Sequence, residues 1–277
     1  MRKTFEQVVL EAQTADCRTE EELFLLWQLF QQMEPDPYGE TCYGEIDSRS
    51  FHIDGIVSKP DYNGVLYIMK ESSMRKQIQK GNTFPVISDL RYDLRNGESR
   101  DGEVEYMEYL TGMQKVLDGE QLVDELICFP DTTFLKEAAV LYLNKRGGKG
   151  AADEISMQYA QYYIEFIRKQ IELIDPSVIV CCGEDVFRLI VMEVFRNKHK
   201  KKNHDEYMRW KNLVFGDVFM ADDAYYPTGD EEKAHVKVIR MWNPSYRVNN
   251  GQYVSLNDYL KEFRSRVITQ EEKCKEN

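Results

Sequence analysis

Four short apolar runs, each stopped by polar residues, constrain this chain more than any other feature. They are VLYIM at 65–69, AAVLYL at 138–143, SVIVCC at 177–182 and VKVIRMW at 236–242. Runs of this length, bounded by residues such as Gly64, Lys70-Glu71-Ser72 and Gly183, fit buried strands. Amphipathic segments separate them. Ile155, Tyr159, Tyr162, Phe166, Ile167, Ile171 and Ile174 mark one side of a helix expected over 152–175, closed by Pro176. Further helices are expected over 184–195, where Glu184 and Asp185 suit an N-terminus, and over 255–267. Strands alternating with helices imply a parallel sheet covered on both faces. The expected class is therefore α/β: a three-layer α/β/α arrangement around a central four-stranded parallel sheet, with extra N-terminal helices and two insertions.

The insertions fall at 86–130, with a helical piece near 104–117, and at 197–235. The main domain is expected over 64–268. Residues 1–63 form a helical segment packed on it, with Phe5, Val8, Val9, Ala12 and Leu23, Leu26, Trp27, Phe30 at helical spacing. Residues 269–277 read as a polar tail.

With 277 residues and 42% hydrophobic composition, the chain can bury a substantial core. No run of about 18 apolar residues exists, so no membrane span is expected. The N-terminus turns acidic at once and does not resemble a signal peptide, which makes the cytoplasm the expected compartment. Six cysteines are scattered without a Cys-x-x-Cys pair, so they are expected to be reduced and to hold neither zinc nor an iron–sulfur cluster. The net charge of −12 argues against broad nonspecific binding of nucleic acid. The charge is uneven: residues 1–50 hold four basic and eleven acidic side chains, while basic clusters stand at 145–149 and 196–202. The second cluster reads either as a solvated loop or as a local positive face.

In a parallel sheet the C-terminal strand ends share one edge, where ligands usually bind. The residues that follow the four runs are Lys70-Glu71-Ser72, Asn144, Gly183 and Asn243-Pro244-Ser245. One carboxylate and two carboxamides would then converge. The chain has no P-loop, no dinucleotide fingerprint and no Gly-x-Ser-x-Gly elbow. Of its four histidines, His199 and His204 lie in the basic loop, and His235 precedes the fourth run at the wrong end for the cleft. The candidate chemistry is that of a carboxylate and amides, with no metal and no cofactor.

These motifs resemble the uracil-DNA glycosylase superfamily over roughly residues 64–262. MKESS at 69–73 stands at the first motif, YLNK at 142–145 at the second, and Asn243-Pro244-Ser245 at the third, where relatives often carry His-Pro-Ser. The block 141–183 carries the most specific part of the likeness. The resemblance implies a DNA glycosylase that flips out a uracil, mismatched or modified pyrimidine and hydrolyses its N-glycosidic bond, in DNA repair or in defence against phage DNA. It implies that Glu71 holds the attacking water and stabilises the cationic sugar, with Asn243 donating to the leaving base. Asn144 would read the base edge and Phe84 would stack on it, with Ser72 beside them. Ser245, Arg247, Lys145, Arg146 and Lys149 would contact DNA. The plainer roles are a turn-capping carboxylate for Glu71, a turn residue for Asn144, core packing for Phe84 and a solvent-facing side chain for Arg247. DNA is the expected partner, with no membrane and no obligate protein partner. A binding module of the same fold that does not cut is the alternative reading.

Overall fold

The four apolar runs all become strands of one sheet. In the computed structural model, which describes residues 13–33, 49–73, 85–96, 104–119, 132–148, 154–195, 217–221, 236–244 and 254–275, they are β3 (Val65–Ser73), β5 (Ala139–Gly148), β6 (Val178–Cys182) and β8 (Val236–Met241). The sheet has six strands rather than four. Its order is β2-β5-β3-β6-β8-β7, where β2 is Gly55–Ile56 and β7 is Val218–Ala221. The central strands pair in parallel, and β2 and β7 close the two edges in antiparallel register. A separate parallel pair joins β1 (Phe51–Ile53) to β4 (Ile87–Asp89).

Successive side chains of a strand point to opposite faces, and β3 divides its own in this way. Leu66 and Ile68 enter one core with α1 (Glu20–Met33), α4 (Glu154–Tyr162), α5 (Ile164–Ile174) and α6 (Glu184–Leu189). Val65, Tyr67 and Met69 enter the other with α2 (Leu90–Asn96), α3 (Val104–Leu117) and α7 (Leu256–Lys275). Helices thus cover both faces of the sheet. Trp27 anchors α1: its ring stacks on Phe166 at 5.0 Å and meets Phe51 edge-on at 6.0 Å. Helix α1 and strand β1 are therefore part of the first core, and β2 that follows them is an edge strand of the sheet.

Three helices differ from the sequence expectation. The long helix breaks at Tyr163, where φ is −96° and ψ 24°, into α4 and α5. Its end is a left-handed Asp175, φ 52°, whose N–H donates to the Ile171 carbonyl before Pro176. α6 is short and passes into a π-helical turn over Ile190–Val194. α7 runs on to Lys275, through residues whose polarity suggested a tail.

From β3 the chain moves outward to β5 by way of α2 and α3 on one face. It returns past β3 to β6 by way of α4 and α5 on the other. Moving one way on one face and back on the other preserves a single crossover hand. The connections after β3 and β6 consequently diverge, and the C-terminal edge between them is the place where sheets of this topology form a crevice. No helix among the described residues is long and apolar enough to cross a membrane.

Candidate active site at the C-terminal edge of the sheet

Two of the strands do not stop where their apolar runs stop. β3 continues through Lys70 to Ser73, and β5 through Asn144 to Gly148. Glu71 and Asn144 become direct partners across the ladder, and Ser73 pairs with Gly148. Two residues of β3 thus face four of β5, a bulge in which Gly147 takes φ 80°. Bulges recur beside active sites because they re-aim side chains.

The bulge builds a clamp on the Glu71 carboxylate. Asn144 Nδ2 donates to Glu71 Oε2 at 2.8 Å, and Ser156 Oγ donates to the same oxygen at 2.6 Å. Asn144 Nδ2 also donates to the Gly147 carbonyl at 3.2 Å, while its Oδ1 accepts the Arg146 N–H at 3.0 Å. Gly148 lies against the carboxylate so closely that a Cβ there would stand 1.9 Å from Oε1 and 2.0 Å from Cδ. Ser156 is fully buried in the first turn of α4 and Asn144 fully buried in β5, whereas Glu71 is half-buried. The arrangement therefore presents an oriented carboxylate from two covered donors.

Register also locates Asn243. Ile68, Cys181 and Arg240 lie abreast, and Asn243 follows the end of β8 at the same C-terminal edge to which Glu71 belongs. Asn243 is half-buried just beyond β8. Glu71, Asn144 and Asn243 thus share the edge that the sequence assigns them, with Glu71 and Asn144 in direct contact.

Other assignments change. Lys145 is fully buried, with Nζ 2.5 and 2.6 Å from the two Asp54 oxygens and 5.2 Å from the Trp27 ring centroid. It is a core cation and not a DNA contact, and burial pulls its pKa below the ordinary lysine value against the pull of Asp54. Arg146 is buried as well, which removes it from the same role. Asn144 commits both amide hydrogens to its own chain, one of them to Glu71. Ser72 is buried. Phe84, Lys149, Ser245 and Arg247 lie outside the described residues.

Sequence reasoning missed Ser156, which stands 85 residues from the carboxylate it binds. It also missed the part of Gly148, although the Gly147-Gly148 pair is a visible signal for close backbone approach. The Lys70 side chain, mostly buried, reaches Asp185 Oδ2 at 3.2 Å. Beside it, Gly183 N–H donates to the Met241 carbonyl at 2.7 Å and joins the ends of β6 and β8. Among the described residues no group of three or more His, Cys, Asp or Glu could hold a metal ion. No protein-family model matches the chain, and no curated protein matches it.

Proposed function

We propose that this chain is a DNA glycosylase related to the uracil-DNA glycosylase superfamily, with the three-layer α/β/α arrangement of that group. The observation that carries the reading is the Glu71 carboxylate oriented by Asn144 and Ser156 at the C-terminal edge of a parallel-dominated sheet. In the proposed reaction the base leaves with the electron pair of its bond to C1′. The sugar becomes cationic, and the fixed carboxylate stabilises that charge and orients a water. The water oxygen bonds to C1′, and its proton passes to the carboxylate. Asn243 donates an amide hydrogen to a carbonyl oxygen of the leaving base, and Asn144 is a positioning residue. Phe84 stacks on the flipped base, and Ser245, Arg247 and Lys149 contact the strand. The substrate is uracil, a mismatched pyrimidine or a modified one, in repair or in defence against phage DNA.

One observation favours a second reading, a glycosylase-like module that binds nucleic acid without cutting. Asn144 spends its amide hydrogens inside the chain, leaving none for reading a base. Oligonucleotides carrying uracil, mismatches or modified cytosines separate the two when abasic sites and released bases are measured together. The glycosylase reading expects base release that falls at least about 100-fold in Glu71→Gln with binding retained. Binding without release of any base selects the module, and neither binding nor release removes both readings.

A further inference from the structure

The crevice between β3 and β6 contains a cation that none of the roles above uses. Lys70 follows the apolar run of β3, and its stem lies toward Gly183, where a Cβ would stand 3.8 Å from Lys70 Cε. Its side chain is 15% exposed and its ammonium meets Asp185, whose side chain is 56% exposed. A lysine held by its stem has little freedom to reorient, whereas the aspartate is free to turn into solvent. It has room to do so. Asp185 also borders a cleft of about 530 Å³ between α4 and α6, lined by Met157, Gln161, Leu189 and Met192 among others. The pair is thus asymmetric: a mostly buried cation at the C-terminal edge, and a half-exposed anion on it.

We propose that Lys70 is a DNA phosphate contact of this site and that Asp185 covers its charge until a phosphodiester displaces it. The inference rests on the glycosylase reading and deepens it, because it supplies a backbone contact to replace Lys145 and Arg146, which the fold buries. Lys70 and Glu71 are consecutive on β3, and their side chains meet different helices, Lys70 reaching Asp185 of α6 and Glu71 reaching Ser156 of α4. A strand crossing the edge can therefore meet the lysine with a phosphate while its sugar lies toward the carboxylate. Asp185 suppresses loose binding of anions, because each must first replace an existing ion pair. This fits a chain whose net charge of −12 already disfavours nonspecific contact with DNA.

The test is salt-dependent binding of a fluorescein-labelled, uracil-containing single-stranded 20-mer to the full chain, followed by anisotropy. Lys70→Gln is expected to weaken binding and to reduce the slope of log K against log salt by about 0.7, the loss of one phosphate contact. Asp185→Asn is expected to tighten binding by roughly two- to five-fold, because an exposed ion pair no longer has to be broken. Lys59→Gln, at the opposite edge of the sheet, is expected to change neither quantity. Circular dichroism checks that each variant is folded. If Lys70→Gln matches Lys59→Gln, or Asp185→Asn weakens binding, the assignment is overturned while the glycosylase reading stands. A wild-type chain that neither binds the oligonucleotide nor releases base overturns both. Deoxyuridine monophosphate that binds as tightly as the 20-mer, with the same response to Lys70→Gln, assigns the position to a free nucleotide and overturns the strand contact.

Discussion

Removing the Asp54 carboxylate is expected to destabilise the protein more than removing Asp54 and Lys145 together. Asp54 is fully buried and accepts from three groups: Lys145 Nζ at 2.5 and 2.6 Å, Tyr142 N–H at 2.7 Å and Gln170 Nε2 at 2.9 Å. Asp54→Ala strands an ammonium in the core, which costs about 3–5 kcal/mol. It also leaves the Tyr142 amide without its carboxylate, worth about 1–3 kcal/mol more. The sum is comparable with the whole stability of a typical domain, about 5–15 kcal/mol. Lys145→Met keeps an apolar stem against Trp27 and Phe24, and Asp54 retains two donors, so its cost is expected to be about 2–3 kcal/mol. Adding Lys145→Met to Asp54→Ala removes the stranded charge and should restore roughly 1–3 kcal/mol. Urea unfolding followed by tryptophan fluorescence reads this directly, since Trp27 borders the pair. A double variant less stable than Asp54→Ala would refute the account of Lys145 as a core cation held by one carboxylate.

Glu20, almost fully buried, has its pKa raised to about 7, chiefly by desolvation. Because its folded value lies above its unfolded one, its contribution is complete below about pH 4.5 and is lost as pH rises toward 7; wild type should lose up to about 3 kcal/mol across that window, and Glu20→Gln should flatten the profile measured by urea titration at several pH values. Gly148→Ala places a methyl on the Glu71 carboxylate, so on the proposed glycosylase reading base release should fall at least about ten-fold while thermal unfolding shifts by only a few degrees. Ser156→Ala leaves Asn144 as the one donor of the pair on Oε2 and, on the same reading, should lower the rate of base release about ten-fold with little change in DNA binding, whereas equal loss of both would indicate a structural role.

The apolar runs were legible because a strand buried on both faces needs no partner to declare itself. Where those strands end was not. Lys70–Ser73 and Asn144–Gly148 look like loop by polarity, and they extend the ladder because remote residues satisfy them: Asp54 is 91 positions from Lys145. No window of sequence contains both. β2 is too short, at two residues, to leave a period. The apolar positions over 152–175 keep helical spacing through Tyr163, where the backbone departs, so the break leaves no mark in the pattern. Lys145 looked like surface because it stands in a basic cluster, and local charge says nothing about a distant counter-ion. The edge location of Glu71, Asn144 and Asn243 was legible because parallel strands impose it. Their hydrogen bonds were not, since the bulge that aims them depends on Gly147 and on Ser156 from a later helix.

Asn144 and Lys145 are neighbours on β5, one turned to the carboxylate clamp and the other locked into the first core with Asp54 and Trp27. The amides of such a strand exchange with solvent only when the whole domain opens. The clamp therefore inherits the rigidity of the most protected part of the molecule, and a change in how α1 docks is transmitted to the site through a single peptide unit. A site mounted this way cannot reshape itself around its ligand. On the glycosylase reading, selectivity comes from which base can distort to meet a fixed carboxylate, and removing α1 would loosen the clamp through Lys145 and Asp54 before it loosened the sheet.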